Sequence, residues 1–299
     1  MDNSRARRDV KGGRPRRSAL YMPGANARAL EKARGIPADV LLLDLEDAVA
    51  PDAKETARAQ VCAAAAAGQY GRREVVVRIN GLDTGWGHAD LPSVAACGAN
   101  AILLPKVESA DQVRHLEALM ADCGAPDDMA IMCMIETPMG VLHAGEIAAS
   151  SPRLTCLVMG TSDLAKDLQA RDVPGREPLL TALSLSLLAA RAHRLAILDG
   201  VSLDLDDDDA HAAACRQGRE LGFDGKTLIH PKQVAAANEA FAPDAAEVDW
   251  SRRIIAAHAE AEGQGAGIVL VDGRLIENLH VEEAHRLVAL AEAIERLSG

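Results

Sequence analysis

The stretch IMCMIETPMG, residues 131–140, combines the pattern of a buried strand with a carboxylate at its end. Its first five residues, Ile131 to Ile135, are all apolar or sulfur-bearing. A strand without polar alternation is typical of a parallel sheet that is covered by helices on both faces. The run then ends at Glu136, which is followed by Thr-Pro and, further on, by Gly140. A charge at the end of a buried strand needs a structural partner or a function.

Seven similar apolar runs are spread along the chain and alternate with Ala- and Leu-rich stretches at helical spacing. These runs occupy residues 19–24, 40–47, 74–81, 101–109, 154–163, 195–202 and 225–233. Together with the run around residue 131, they give eight strand–helix units over about 220 residues, which predicts a TIM (β/α)8 barrel. A doubly wound sheet is the alternative, but no glycine-rich phosphate-binding turn follows the first run.

The change of pattern at the two ends of the chain divides it into three parts. Residues 1–17 hold seven Arg or Lys and two Asp, and we predict that they form a disordered, solvated basic tail. Residues 18–243 form the predicted barrel. Residues 244–299 are predicted to form a helix, a hairpin that turns at Asp272-Gly273, and a final helix. This C-terminal extension is expected either to cap the barrel or to pack on a neighbouring subunit.

Composition argues against several classes of function. The net charge is −12, and because the tail carries +5, the remaining chain carries −17. With only 2% aromatic residues to stack on bases, such an acidic body is a poor nucleic-acid binder. Apolar runs stay well below the ~20 residues that span a bilayer, so no membrane segment is expected. The six Cys form no CxxC pair, which favours reduced thiols in a cytoplasmic protein.

Polar residues end most of the predicted strands, which is where TIM barrels place their active sites. They are Asp44, Glu46, Asp47, Arg78, Asn80, Lys106, Glu108, Glu136, Asp163, Asp199 and His230. Carboxylates that converge on one barrel mouth repel each other unless a cation lies among them. Oxygen ligands alone favour a hard ion, Mg²⁺ or Mn²⁺. Glu136 is therefore a candidate metal ligand, although it could instead cap the next helix or pair with Lys106.

The same stretches resemble, in their order along the chain, the citrate lyase β-subunit-like family of the HpcH/HpaI aldolase superfamily. This family includes the malyl-CoA and citramalyl-CoA lyases. Each motif is weak alone, but eight in the same order, over residues 17–290, are highly specific. The stretches are RSALYMPG, ADVLLLDLEDAVAPDAKETAR, VVVRINGLDT, LLPKVES, IETPMG, MGTSDLAKDL, GFDGKTLIHPKQV and VDGRLIEN.

The resemblance implies a TIM barrel that cleaves or forms a carbon–carbon bond next to a thioester. It implies a metal site at Glu136 and Asp163, Arg78 as the residue that holds substrate oxygens, and Glu46 and Asp47 around the waters of the metal. Contacts with CoA or an acyl carrier are implied near Tyr21 and Lys32, and His230 is a further candidate for substrate binding. The resemblance also implies a homotrimer or hexamer in which the C-terminal arm closes a neighbouring active site.

The expected reaction splits a 3-hydroxyacyl-CoA thioester, such as malyl-CoA or citramalyl-CoA, into an acyl-CoA and an α-keto acid. A bound Mg²⁺ would act as Lewis acid and template, and Arg78 would offer its charged fork to the developing oxyanion. Two alternatives stay open. One is a thioesterase that hydrolyses malyl-CoA on the same scaffold, and the other is a non-catalytic subunit that binds a keto acid or an acyl carrier.

Two positions depart from the pattern of this family. Asn26 stands where many relatives have an arginine after the first strand, so a contact with a CoA phosphate is in question. Glu277 stands where the lyases have an aspartate that acts as an acid across subunits. The carboxylate is kept but reaches one methylene further, so Glu277 is the candidate acid of this chain.

Overall fold

Eight parallel strands close into a barrel in the computed structural model, which describes residues 14–263 and 268–298. Each strand pairs with the next along the chain, and the first pairs with the eighth, so the predicted TIM barrel is confirmed. The strands are β1 Ser18–Pro23, β2 Val40–Asp44, β3 Glu74–Arg78, β4 Ala101–Leu104, β5 Ala130–Ile135, β6 Leu154–Met159, β7 Ala196–Asp199 and β8 Gly225–Leu228.

The helices that follow these strands belong to the same compact unit, which spans residues 16–241. They are α1 Ala27–Lys32, α2 Lys54–Ala66, α3 Gly85–Ala95, α4 Ala110–Asp122, α5 Pro138–Leu142, α6 Ala144–Ala148, α7 Thr161–Asp167, α8 Leu180–Ala192, α9 Asp208–Leu221 and α10 Val234–Phe241. Among the helices of the described residues, none is long and apolar enough to cross a bilayer.

Two apolar layers explain why the strand runs lack polar alternation. Alternate strand residues such as Leu42, Leu103 and Met132 form one buried cluster, which fills the barrel interior. The residues between them, such as Leu43 and Ile102, belong to a larger cluster that includes the inner faces of the helices. Both faces of each strand are therefore buried, as the sequence predicts.

Helix ends are fixed by local signals that the sequence carries. Ser109 and Gln112 form a capping box at the start of α4, and Thr137 caps α5 just before its proline. At the other end of a helix, Gly222 adopts a left-handed conformation with φ of 106° and ends α9. The first two caps fix where α4 and α5 begin at the mouth of the barrel, and Gly222 fixes where α9 ends at the opposite side, before β8.

Arg16 and Arg17 correct the predicted boundary of the basic tail. Both are buried, whereas we predicted a solvated tail through residue 17. Arg16 pairs with Glu74 at 2.6 Å, and Arg17 pairs with Asp39 at 2.8 Å. These two carboxylates, at the bases of neighbouring strands, hold the chain that leads into β1. Residues 1–13 of the predicted tail lie outside the described residues.

The C-terminal extension forms a second compact unit with the predicted order of helix, hairpin and helix. It consists of α11 Ala245–Gly263, β9 Val269–Val271, β10 Arg274–Ile276 and α12 Asn278–Ser298. Asp272 and Gly273 form the turn of the hairpin, with φ of 50° and 76°. Positive φ at both positions is the type I′ geometry that the Asp-Gly pair predicts. The packing of this unit on a neighbouring subunit stays a prediction.

Gly225, the first residue of β8, lies where the barrel closes against the chain that leads into β1, and its substitution tests how closely the backbone packs there. A Cβ added there would lie 1.8 Å from the carbonyl oxygen of Arg16, whereas a Cβ at Gly145 would meet nothing within 4 Å. We expect Gly225→Ala to lower the free energy of unfolding by about 1–3 kcal/mol or more, because backbone must move. Gly145→Ala, in helix α6, is the matched control and should be neutral or stabilising. Chemical denaturation measures both, and equal stability of the two variants would contradict this account of closure.

Candidate functional site

A pocket of about 380 Å³ opens at the carboxyl ends of the strands, within the barrel unit. Four of the predicted site residues with charged side chains, Asp47, Arg78, Glu136 and Asp163, lie in its wall. The full lining is Tyr21, Pro23, Asp44, Asp47, Ala48, Arg78, Met134, Glu136, Met159, Ser162, Asp163, Val201, Thr227 and Ile229. The pocket therefore joins a charged wall to an apolar one, as a site for a small ligand requires.

Arg78, the last residue of β3, is held rigidly at the mouth. Its Nε and Nη2 donate to the two carboxylate oxygens of Asp44 at 2.7 and 2.6 Å, which is a bidentate pair. The ring of Tyr21 lies against the guanidinium, with the Cζ atom 4.8 Å from the ring centroid. The remaining guanidinium nitrogen, Nη1, points to Glu46, whose Oε2 lies 2.8 Å away.

Glu46 is shared between two cations, although its side chain is almost fully buried. Its Oε2 faces Arg78, and its Oε1 accepts a hydrogen bond from the Lys106 ammonium at 2.5 Å. Burial raises the pKa of Glu46, while Arg78 and Lys106 act in the opposite direction. Asp47 is more exposed and lies 3.8 Å from Arg78 and 3.9 Å from Lys106. The two acidic residues thus flank the same pair of cations.

Lys106 is an ion-pair partner of Glu46, whereas the sequence suggested a pair with Glu136. Burial alone would lower its pKa, but the hydrogen bond and charge of Glu46 outweigh this effect and raise the pKa. A Lys held in the ammonium form is unsuited to be a nucleophile. The residue adopts a left-handed conformation with φ of 50°, which is uncommon outside glycine.

Glu136, directly after β5, is held from two sides. Its Oε1 accepts a hydrogen bond from the backbone N–H of Lys106 at 2.7 Å. Gly160 packs beside the other oxygen, because a Cβ there would approach Oε2 to 2.4 Å. Burial is the largest of the effects that raise the pKa of Glu136 to about 7. At neutral pH this carboxyl is therefore poised between its two protonation states.

The donors of the pocket fit a magnesium ion. Asp163 is not at the strand end, as the sequence suggested, but in the first turn of α7, and it lines the pocket together with Glu136. In the part of the chain that the structure describes, no cluster of three or more His, Cys, Asp or Glu is arranged for a metal. Two carboxylates suit Mg²⁺, which keeps several waters and takes substrate oxygens. A side chain at position 160 would crowd Oε2 of Glu136, so the glycine there leaves this oxygen without a side-chain neighbour from that position.

Of the predicted substrate-binding residues Tyr21, Lys32 and His230, Tyr21 lies in the pocket wall, and the other two are not among its lining residues. Tyr21 lines the pocket, and burial raises the pKa of its phenol, so the ring is neutral. Lys32 is exposed in the last turn of α1. His230 accepts a hydrogen bond from the Lys232 backbone and caps a short 3-10 turn, while its neighbour Ile229 lines the pocket.

Glu277 belongs to the C-terminal unit rather than to the barrel. It lies between β10 and α12, and its side chain is exposed. Its backbone N–H donates to the ring of His280 at 3.1 Å, which fixes the start of the last helix. Its role as an acid stays a prediction.

Asn26, which stands where the resemblance implies an arginine, has a local structural role. Its side chain accepts a hydrogen bond from the Ala29 N–H at 3.0 Å and so caps α1. Asparagine is among the most favourable residues at this position of a helix. The asparagine at this position therefore stabilises the start of α1.

Two features of the mouth were missed by reasoning from the sequence. Asp44 is the partner that fixes Arg78, although the sequence treated it only as one of many polar strand ends. Asp199 is fully buried and pairs with Lys226 at 3.0 Å and Arg176 at 2.9 Å. The alternation of β8 could have revealed Lys226, because a charged residue within an apolar strand requires a buried counter-charge.

Comparison with known proteins gives the family and its relatives. Residues 17–231 match the HpcH/HpaI aldolase/citrate lyase family. A (3S)-malyl-CoA thioesterase of Cereibacter sphaeroides is 50% identical over 280 residues, which cover 94% of this chain and 96% of that one. The L-malyl-CoA/beta-methylmalyl-CoA lyase of the same organism is 35% identical, over 94% of this chain and 96% of that one.

A solved structure extends the similarity to three dimensions. The CitE protein of Mycobacterium tuberculosis, in complex with magnesium, acetoacetate and coenzyme A, matches with a TM-score of 0.72 and 29% identity. The match covers 93% of this chain and 98% of that one. From the barrel, the acidic mouth around Arg78 and these similarities, we conclude that the chain belongs to the HpcH/HpaI aldolase/citrate lyase family.

Proposed function

We propose that the protein hydrolyses the thioester of malyl-CoA, or of a closely related 3-hydroxyacyl-CoA, in a magnesium-dependent reaction. The observation that supports this proposal is that Arg78, Glu136 and Asp163 line the same pocket. Hydrolysis takes first place here, ahead of the carbon–carbon cleavage that the sequence favoured. The reason is that the relative named as a thioesterase is 50% identical, whereas the relative named as a lyase is 35% identical.

Glu136 and Asp163 would hold the metal in this proposal, and the ion when bound supplies a Lewis acid and a template for substrate oxygens. Arg78 would stabilise the negative charge that develops on the thioester carbonyl, since Asp44 holds its fork in place. Glu46 would accept the proton of the attacking water, because its carboxylate lies beside Arg78 at the barrel mouth. The products are a hydroxy acid and free CoA.

Carbon–carbon cleavage is the second candidate, and the carboxylate at position 277 favours it. The site residues would be the same, but Glu277 would protonate the carbon of the enolate that forms when the bond breaks. Because Glu277 lies on the C-terminal unit, we propose that it enters the active site of a neighbouring subunit. A homo-oligomer, such as a trimer or hexamer, is therefore part of this second candidate.

Product analysis with malyl-CoA separates the two reactions. Hydrolysis gives malate and a free thiol in equal amounts, whereas cleavage gives a shorter acyl-CoA and a keto acid without a thiol. We expect thiol release, which a thiol reagent follows continuously, and it should stop when Mg²⁺ is chelated. Full activity in the presence of EDTA, or no reaction with malyl-CoA or citramalyl-CoA, would contradict the proposed function.

Metal binding should be coupled to the loss of a proton. Because the pKa of Glu136 is about 7 in the metal-free protein, part of this carboxyl is protonated at neutral pH. Only the carboxylate binds Mg²⁺, so the affinity should fall as pH drops below 7 and should level off above about pH 8. Calorimetry in two buffers of different ionisation enthalpy measures the released proton.

Variants of the two carboxylates test the same assignment. Glu136→Gln and Asp163→Asn should each abolish measurable Mg²⁺ binding and turnover, because each removes one of few anionic ligands. Asp167→Asn, four residues further along α7, is the matched control and should bind as the wild type does. Wild-type affinity in Glu136→Gln would show that the ion binds elsewhere.

The second candidate predicts that mixed subunits regain lyase activity. Arg78→Ala and Glu277→Ala should each lose cleavage, the latter by roughly 10²–10⁴-fold, which is typical of a positioned acid. In mixed oligomers, some sites combine an intact Arg78 with an intact Glu277 from another chain, so part of the activity should return. Mixed oligomers that stay as inactive as their parents would exclude sharing between subunits. Thioester hydrolysis needs no enolate acid, so Glu277→Ala should retain it.

A further inference from the structure

Each of the three guanidinium nitrogens of Arg78 already has a neighbour at the barrel mouth. Nε and Nη2 bind Asp44. The third nitrogen, Nη1, donates to the Met134 Sδ at 3.7 Å and forms ion pairs with Glu46 at 2.8 Å and Asp47 at 3.8 Å. The residue is 7% exposed, so water contributes little to its solvation. A substrate anion that binds Nη1 therefore competes with Glu46 for the charge of Arg78.

Giving up Glu46 would be costly without another cation. The residue is 8% exposed, and a buried carboxylate that loses its partner destabilises a protein strongly. The two carboxylate oxygens of Glu46, however, face different cations, and the contact of Oε2 is an ion pair without a hydrogen bond. Oε2 faces Arg78, and Oε1 binds the Lys106 ammonium at 2.5 Å. Lys106 therefore already makes the contact that Glu46 would need once Arg78 has turned away.

Lys106 is also suited to this role by its surroundings. Its side chain is half exposed, so the ammonium can shift without a large packing cost, and Asp47 lies within 3.9 Å. Its backbone is fixed independently, because the N–H binds Glu136. The ammonium can therefore move while the hydrogen bond to the candidate metal ligand is kept.

We propose that Lys106 is a positioning residue that holds Glu46 and Asp47 when Arg78 exchanges them for an anionic group of the substrate. This inference rests on the proposed function, because it takes Arg78 as the residue that contacts the ligand. In the exchange, Asp44 keeps the fork of Arg78 in place, and only Nη1 changes its partner. Lys106 acts through Glu46 and does not touch the ligand.

A double-mutant cycle with Glu46 tests the exchange. Binding of malate in the presence of saturating Mg²⁺ is measured by calorimetry in wild type, Lys106→Met, Glu46→Gln and the double variant. Lys106→Met should weaken malate binding on the order of 10-fold, since Glu46 then retains Arg78. In the Glu46→Gln background the buried charge is gone and only the exposed, solvated Asp47 remains, so the same change should alter binding by less than about 2-fold.

Further variants separate positioning from a structural or direct role. Lys106→Arg keeps the cation and should restore most of the malate affinity. Lys106→Met should leave the affinity for Mg²⁺ alone unchanged, because the backbone N–H on Glu136 is kept. Lys232→Met, which removes a lysine paired with Asp208 on the surface, controls for the general loss of positive charge. If Lys106→Met does not fold, Lys106→Gly removes the same ammonium and also relieves the positive φ.

Two results would overturn the inference while the proposed function stands. One is malate binding by Lys106→Met that equals that of the wild type. The other is a loss of equal size in the wild-type and Glu46→Gln backgrounds, which would mean that Lys106 contacts the ligand directly. Failure of the proposed function would instead be seen in the wild type, as an absence of both malate binding and malyl-CoA turnover, and it would overturn both proposals.

Discussion

The bidentate ion pair between Arg78 and Asp44 is the interaction on which the barrel mouth depends. Both residues end their strands, and β2 and β3 pair in parallel with these two positions in register. The pair is nearly fully buried, so its geometry is fixed by the barrel rather than by solvent. A guanidinium held in this way can direct one nitrogen into the pocket without the loss of side-chain freedom that a mobile arginine would incur.

Charge balance around this pair decides what the mouth can bind. Arg78 and Lys106 face the acidic residues of the β2 end, while Glu136, directly after β5, and Asp163, in the first turn of α7, lie in the pocket wall. The second pair of carboxylates is the one left for a hard cation. We therefore interpret the mouth as two adjoining halves, one prepared for substrate anions and one prepared for Mg²⁺.

The sequence predicted the fold well because the barrel depends on local patterns. Each apolar run carries its own signal of double burial, and the hairpin carries its Asp-Gly turn. Arg16 and Arg17 were misjudged because basic residues beside other basic residues look like a solvated tail. Their partners, Glu74 and Asp39, are 58 and 22 residues away, and no local pattern reveals such pairs. The ion pair between Asp44 and Arg78 was also not predicted, because strand ends become neighbours only when the barrel closes.

A crystal structure of the protein with Mg²⁺ and malate tests the central claim most directly. The account predicts one ion bound to the carboxylates of Glu136 and Asp163, with waters and malate oxygens completing its shell. It also predicts that Arg78 keeps its fork on Asp44 and turns Nη1 to the malate. An ion bound away from Glu136 and Asp163, or a malate that makes no contact with Arg78, would contradict the account.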